Sequence, residues 1–513
     1  MAGRRRFIPN TRRGRGISSR PSEKIGAADP DRVERAGAPP ERHLACLRST
    51  PAMFSPDTLA ARRAALARAV GSGLIVILGH DDAPMNYPAN VYAFRQDASF
   101  LYYGGHDAPG LALAVDAETG LTTLFGHDPT VDDVVWEGPS MSMADRAAAI
   151  GADAHDAPGA LAGAVRAALR AGRTVHTLPP NRAEQRLRLA GLLGLPDVHA
   201  SEALTAAVVA QRLVKTDAEV AEMEASLVLA AEVHALAMAG AQPGRTERGL
   251  AAAIEAHLAS AGSYPSYPVI LTRRGEVLHG HPTGAVLEAG DLLLVDAGAV
   301  SVGTRYASDL TRTMPVGGTF TERQRALYDV VLAAQTAAID AMRPGVPFRD
   351  LHTLAARTIA EGLVGLGLMR GDPDEAVAAG AHALFFPHGL GHALGLDVHD
   401  MEGLGETRVG YGDGFERSEQ FGTRYLRFAR PLAEGYVMTV EPGIYLVGPL
   451  LDAWKAAGRH AAFVDYAEAD TWRGTGGIRI EDDVLVTEDG HRVLGPPIPK
   501  EADAVEAAVQ AGA

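Results

Sequence analysis

The chain runs to 513 residues, 47% hydrophobic and 22% charged, which is ordinary for a globular protein and long enough for two or more domains with cores. A formal net charge of −15 argues against a nucleic-acid binder. The single cysteine, Cys46, excludes an intramolecular disulfide and fits a reducing, cytoplasmic compartment; apolar runs such as 73–78 are too short to cross a bilayer, so no membrane association is expected.

Residues 1–52 differ in kind from the rest. They carry 12 Lys/Arg against 5 Asp/Glu, a local charge of +7 that leaves −22 for the remainder. Pro, Gly, Arg and Ser dominate without any period that could bury a face, so disorder is expected. An Arg/Ser-rich targeting peptide and a basic arm both fit, but the plainest reading is a mis-called start or a dispensable extension before Met53.

From 57 to about 70, Leu59, Leu66 and Val70 predict an amphipathic helix, and 73–79 a buried strand. An aromatic-rich stretch follows at 94–103. Strands are predicted at 111–115 and 121–125, joined by a hairpin turn, then a helix at 160–171, a strand at 174–178 and a helix at 183–193. This α/β layer, 53–205, holds no ligand cluster. A second domain is expected over 206–500. Thr216 and Glu219 form a capping-box signature for a helix to about 239, Pro243-Gly244 breaks it, and a second helix runs from 246 to about 261. Strands are predicted at 269–272, 277–281 and 292–296. The pattern recurs with Thr321 and Gln324, a break at Pro344-Gly345, and a helix from 348 to about 363. Two such copies suggest a pseudo-symmetric α+β fold with a site between the halves. Residues 501–513 read as a tail.

The chemistry gathers at 388–400, H-G-L-G-H-A-L-G-L-D-V-H-D, where three histidines fall among glycines and aliphatics. Elsewhere Asp296, Asp309, Glu441 and Glu481 each end or interrupt an apolar strand. One such acid is usually a salt-bridge or turn residue. A buried carboxylate must be paired, protonated or metal-bound, however, and four of them beside a histidine cluster point to metal. Four carboxylates offset two divalent cations, and oxygen ligands with one imidazole suit manganese, with cobalt and zinc also fitting. Two such ions, about 3.5–4 Å apart, share and activate a water for hydrolysis.

Five motifs then carry a resemblance: V-D-A-G at 295–298, S-D-L-T-R-T at 308–313, the histidine stretch at 388–400, T-V-E-P-G at 439–443 and G-I-R-I-E-D-D at 477–483. In this order they resemble the Xaa-Pro aminopeptidase (aminopeptidase P) and prolidase family of pita-bread-fold metallopeptidases, over about 54–494. F-R-Q-D-A-S-F-L-Y-Y-G-G at 94–105 is similar to the family's creatinase-type N-terminal domain. The resemblance implies an α/β N-terminal domain followed by a pseudo-two-fold pita-bread catalytic domain, acting on peptides with proline at the second position. It implies metal ligands Asp296, Asp309, His392, Glu441 and Glu481, with Asp309 and Glu481 bridging two divalent ions. Glu441 would also shuttle a proton, and His279 and His399 would stabilise the tetrahedral intermediate. His388 would line the proline-side pocket, and Arg479 would support the acidic ligands. His281 is expected on the same strand face as His279, with His279 the better fit to the family spacing. A homodimer or homotetramer, assembled partly through the N-terminal domain, is implied as well. A prolidase would need a cation for the free carboxylate of its dipeptide. Arg424, Arg427 and Arg430 are available, though they read more simply as an exposed basic run. Two long segments, 401–431 and 449–474, are expected as loops around the cleft.

Overall fold

The structure is a computed structural model describing residues 53–196, 200–412 and 414–512; the basic segment 1–52 lies outside the described residues. Helix Pro56–Val70 begins at the N-cap Ser55 and buries Leu59 and Leu66. Strand Leu74–Leu78 is buried throughout and lies second from one edge of a five-stranded mixed sheet centred on Ala112–Asp116. It pairs antiparallel with Ala112–Asp116 and parallel with Val175–Thr177; Thr122–Phe125 and Ala154–Asp156 extend the other edge. The outer strand Ala154–Asp156 and helices Val131–Glu137 and Met143–Ala149 were not anticipated.

Helix Glu202–Leu213 runs across position 205/206 and leads into the second α/β region. Both capping boxes form: Thr216 with Glu219 opens Asp217–Gly240, and Thr321 with Gln324 opens Glu322–Asp340. By length and composition the 24-residue Asp217–Gly240 helix passes as a membrane span. Its face of Val220, Met223, Leu227, Ala230 and Val233 is buried in the core, though, as a central helix requires. Helices Glu247–Ser260 and Phe348–Gly365 complete the two copies.

Each copy supplies a small antiparallel sheet. In the first, Leu292–Asp296 lies between Ile270–Thr272 and Thr311–Pro315; in the second, Asp482–Val486 lies between Val437–Val440 and His491–Val493. A bridge between Thr311 and Glu481 joins the two sheets, and another between Ala393 and Met438 lays the histidine stretch against the second.

Three expectations fail. Residues 277–281 form no strand. The buried Glu247 carboxylate accepts from the backbone N–H of Arg273 and of Thr283, and so folds 273–283 into a looped turn carrying His279 and His281. Residues 449–474 are not an open loop but hold helices Gly448–Ala456 and Tyr466–Thr471, the latter capped by Asp465. The C-terminal tail is instead helix Ala502–Ala511, whose Val505 and Val509 are buried.

Candidate metal centre

The acids sit where strands stop. Asp296 is the last residue of Leu292–Asp296, Asp309 precedes Thr311–Pro315, and Glu441 follows Val437–Val440. Glu481 occupies the break between Gly477–Arg479 and Asp482–Val486. Side chains at strand ends escape the pleat and converge on one point, here the seam between the two sheets. The histidine stretch reaches that seam because Gly391 passes against Thr439, where a Cβ would collide with the carbonyl oxygen.

Ligand atoms of Asp309, His392 and Glu481 lie within 4.8 Å of one another, and all three residues are buried. His392 Nε2 is 3.3 Å from Asp309 Oδ2 and 3.7 Å from Glu441 Oε1. Asp296 joins them through Tyr267, whose hydroxyl lies 2.5 Å from both Asp296 Oδ1 and Asp309 Oδ1. Arg479 donates to Asp296 Oδ2 at 2.5 Å, to the Thr311 hydroxyl at 3.1 Å and to the Tyr445 hydroxyl at 3.0 Å. All five expected ligands therefore face one small space, and Arg479 braces it.

The electrostatics show what is lacking. Burial and the neighbouring Asp296 push the Asp309 carboxyl up to about 7. Burial outweighs the attraction of Arg479 and takes Glu441 to about 8, while burial and Asp309 hold Glu481 well above the carboxylate range. Burial lowers His392 to about 4, leaving its ring neutral and its lone pair free to ligate. Four crowded carboxyls with one guanidinium among them form a site short of positive charge, and its mostly-oxygen donor set with one imidazole suits divalent cations.

The other expected residues surround the space. His399 packs against His392 with ring centroids 4.1 Å apart and planes tilted by 52°. His388 contacts the Tyr445 hydroxyl through Nε2 at 2.8 Å and packs edge-on against Phe386. His279 lies at the solvent-accessible rim, its pKa lowered by partial burial and by Arg479; it also feels Asp296, Arg427 and His399. Arg427 is not part of an exposed basic run. It is half-buried at the cavity wall with His392, His399 and Glu402, and donates to Glu402.

Several residues of the site escaped the sequence reading. Tyr267 stands outside every motif. Thr311 donates to Glu481 at 2.6 Å, Thr439 donates to Glu441 at 3.5 Å, and Asp483 accepts from the Asp309 backbone at 3.1 Å. These three lie inside the recognised motifs and could have been read from strand alternation. Glu402 carried no signal.

A pseudo-symmetric α+β domain with an acid-and-histidine centre at its sheet seam, behind an α/β N-terminal domain, defines a metallohydrolase. Residues 221–488 match metallopeptidase family M24, and 59–176 match the N-terminal domain of aminopeptidase P. The chain is 33% identical over 453 residues to the Xaa-Pro dipeptidase of Homo sapiens, covering 86% of this chain and 89% of that one. It is 32% identical over 426 residues to a probable Xaa-Pro aminopeptidase of Phaeosphaeria nodorum, covering 82% and 88%. Aminopeptidase P from E. coli, solved with the inhibitor Pro-Leu, superposes with a TM-score of 0.73 at 29% identity, covering 90% of this chain and 99% of that one. The Pseudomonas aeruginosa aminopeptidase gives 0.74 at 30%, with the same coverage. The chain belongs to metallopeptidase family M24, with the aminopeptidase P type of N-terminal domain and the pita-bread catalytic fold.

Proposed function

We propose that the chain is a dinuclear metal-dependent Xaa-Pro aminopeptidase, hydrolysing the bond between an N-terminal residue and a following proline. The observation that carries this is the buried convergence of Asp309, His392 and Glu481, with Glu441 and Asp296 beside them. Asp296, Asp309, His392, Glu441 and Glu481 would hold the two ions, with Asp309 and Glu481 central enough to be shared between them. Two divalent cations held there, manganese first, would supply Lewis acidity toward a water and toward the scissile carbonyl.

The chain's own groups do the rest. Glu441, ionised once bound cations offset the crowding that raises its carboxyl, would be placed to take a proton from the attacking water and give it to the departing proline nitrogen. His399 and His279 border the space where the tetrahedral oxygen develops, and His388 with Tyr445 forms the wall assigned to the proline ring. Arg479 holds Asp296 in place. The relatives named Xaa-Pro peptidases support the proline specificity.

A prolidase is the second reading. Arg427 favours it, because a guanidinium at the cavity wall could bind the free carboxylate of a dipeptide. A metal-free scaffold would not be expected to keep all five ligands. The deciding assay is hydrolysis of Xaa-Pro and Xaa-Pro-Yaa by manganese-loaded and by chelator-treated enzyme. Tripeptide cleavage that disappears with chelator supports the aminopeptidase; cleavage of the dipeptide alone transfers the assignment to prolidase. A protein that binds no metal and cleaves neither peptide is the scaffold.

We also infer a homodimer or homotetramer built through the N-terminal domain. The helix Val131–Glu137 buries none of its residues and leaves Val131, Val135 and Trp136 at 79%, 72% and 85% exposure, as an unpartnered interface would. Sedimentation should give a dimer or larger, and Trp136→Asp should shift it toward monomer.

A further inference from the structure

We propose that Glu402 sets peptide length: it occupies the cation that would receive a free carboxylate beside proline, and so favours Xaa-Pro-Yaa over Xaa-Pro. The inference rests on the Xaa-Pro peptidase reading above.

Met401 sits in the left-handed region at φ 61°, and this turns the chain sharply after His399-Asp400 into the short 3-10 turn Glu402–Leu404. The reversal swings Glu402 back over the site. One carboxylate oxygen, Oε2, accepts from His399 Nδ1 at 2.6 Å, and the other, Oε1, accepts from Arg427 at 2.5 Å. The His399 hydrogen bond and the Arg427 charge hold the Glu402 carboxyl well below the usual carboxylate range. Glu406 lies 3.9 Å from Arg427 but pairs more closely with Arg417. The wall beside His392 and His399 thus sets Arg427 between two acids, Glu402 and Glu406.

An extended chain advances about 3.5 Å per residue, so a carboxylate on proline would lie about one residue from the scissile carbonyl. Glu402 is itself two contacts from the metal ligands, through the His399 ring packed against His392. An arriving carboxylate would meet a like charge at close range and a guanidinium already engaged. In a longer peptide the same position is a neutral amide, which suffers neither penalty. Arg427 supplies the cation a dipeptidase needs, and Glu402 masks it.

The test compares holoenzyme kcat/KM on Xaa-Pro, on its amide Xaa-Pro-NH2 and on Xaa-Pro-Yaa. The first two are matched in size and differ in charge. Wild type should prefer the amide and tripeptide. E402Q should raise the dipeptide-to-amide ratio about tenfold, chiefly through KM, and the double variant E402Q/R427M should lose that gain. Any disturbance of His399 depresses all three substrates together, so the ratio still reports the charge effect. Metal content confirms that the variant is folded, and Glu402→Ala gives the same comparison if Gln is not tolerated. An unchanged ratio in E402Q overturns the role of Glu402 while leaving the peptidase reading intact, as does a wild type that prefers the dipeptide. Metal-loaded wild type inactive on all three substrates overturns both.

Discussion

At the scale of single residues, the centre is held by hydroxyls as much as by charges. Tyr267 spans Asp296 and Asp309, and Thr311 and Thr439 each anchor one glutamate. Such bonds fix the carboxylates before any ion arrives. Asp309→Ala or Glu481→Ala should therefore remove metal and turnover together, read by elemental analysis beside peptide hydrolysis; full turnover in either variant would end the dinuclear assignment. The same crowding makes the metal-free protein sensitive to pH. Asp309 and Glu441 bind protons more tightly folded than unfolded, at about 7 and about 8 against ordinary values of 3.8 and 4.5. Their contribution is complete below the unfolded values and is lost as pH rises through the folded ones. Chelated protein should lose stability, by an amount of order a few kcal/mol, between about pH 4.5 and 8. Added divalent cation should restore it, because bound metal favours the ionised carboxylates. Thermal melts across that window, with Glu441→Gln as the flattened control, read the sign directly.

At the scale of elements, the capping boxes show why so much was legible. Thr216-x-x-Glu219 and Thr321-x-x-Gln324 are local, reciprocal and complete within four residues, so their helices begin where the sequence places them. The acid-ended strands are equally local, and the seam that gathers them follows from the duplicated pattern. The 277–281 segment was not legible, because its fold depends on Glu247, some thirty residues earlier in the chain. Helix Tyr466–Thr471 did carry a local signal in the Asp465 cap, hidden by expecting a loop. Glu402 and Tyr267 become meaningful only once distant elements meet. Glu219 shows how a cap can exceed its local role. Besides capping Thr216, it accepts from the Tyr306 hydroxyl at 2.6 Å and pairs with the buried Arg62 at 3.3 Å. Thr216→Ala should cost about 1 kcal/mol, the ordinary loss of a cap. Glu219→Ala, which leaves Arg62 buried without its partner, should cost about 3–5 kcal/mol. Denaturant titration of the two variants separates these values, and equal losses would mean that Arg62 is satisfied by the Tyr102 carbonyl alone.

At the scale of the whole molecule, the linker helix and the N-terminal domain reach the centre through one buried carboxylate. Asp400 directly follows His399, and its backbone N–H donates to the Ala393 carbonyl at 2.8 Å, closing the loop that also carries His392. Its side chain lies between Arg212 at 2.6 Å and Lys215 at 3.1 Å, at the end of helix Glu202–Leu213 and just beyond it. Arg212 extends the link to the Ser99 hydroxyl of the N-terminal domain, and Arg95 of that domain donates to the Leu396 carbonyl within the same loop. Both cations hold the Asp400 carboxyl below its usual range despite burial. The N-terminal domain is thus tied into the placement of the site's histidines. Asp400→Asn keeps the shape but leaves Arg212 and Lys215 without their shared counter-charge, and should destabilise the protein by about 3–5 kcal/mol. Turnover should fall with it, through kcat more than KM, since His399 would shift while the substrate walls at His388 and Tyr445 stay in place. Metal content should largely survive, because Asp309, Glu441 and Glu481 lie outside this loop and His392 is also held by its own backbone bonds to Thr439. A variant with wild-type stability would show that Asp397, 3.3 Å from Arg212, can carry the pairing alone. Lost stability with unchanged kcat would show that the loop holds His399 without help from the N-terminal side.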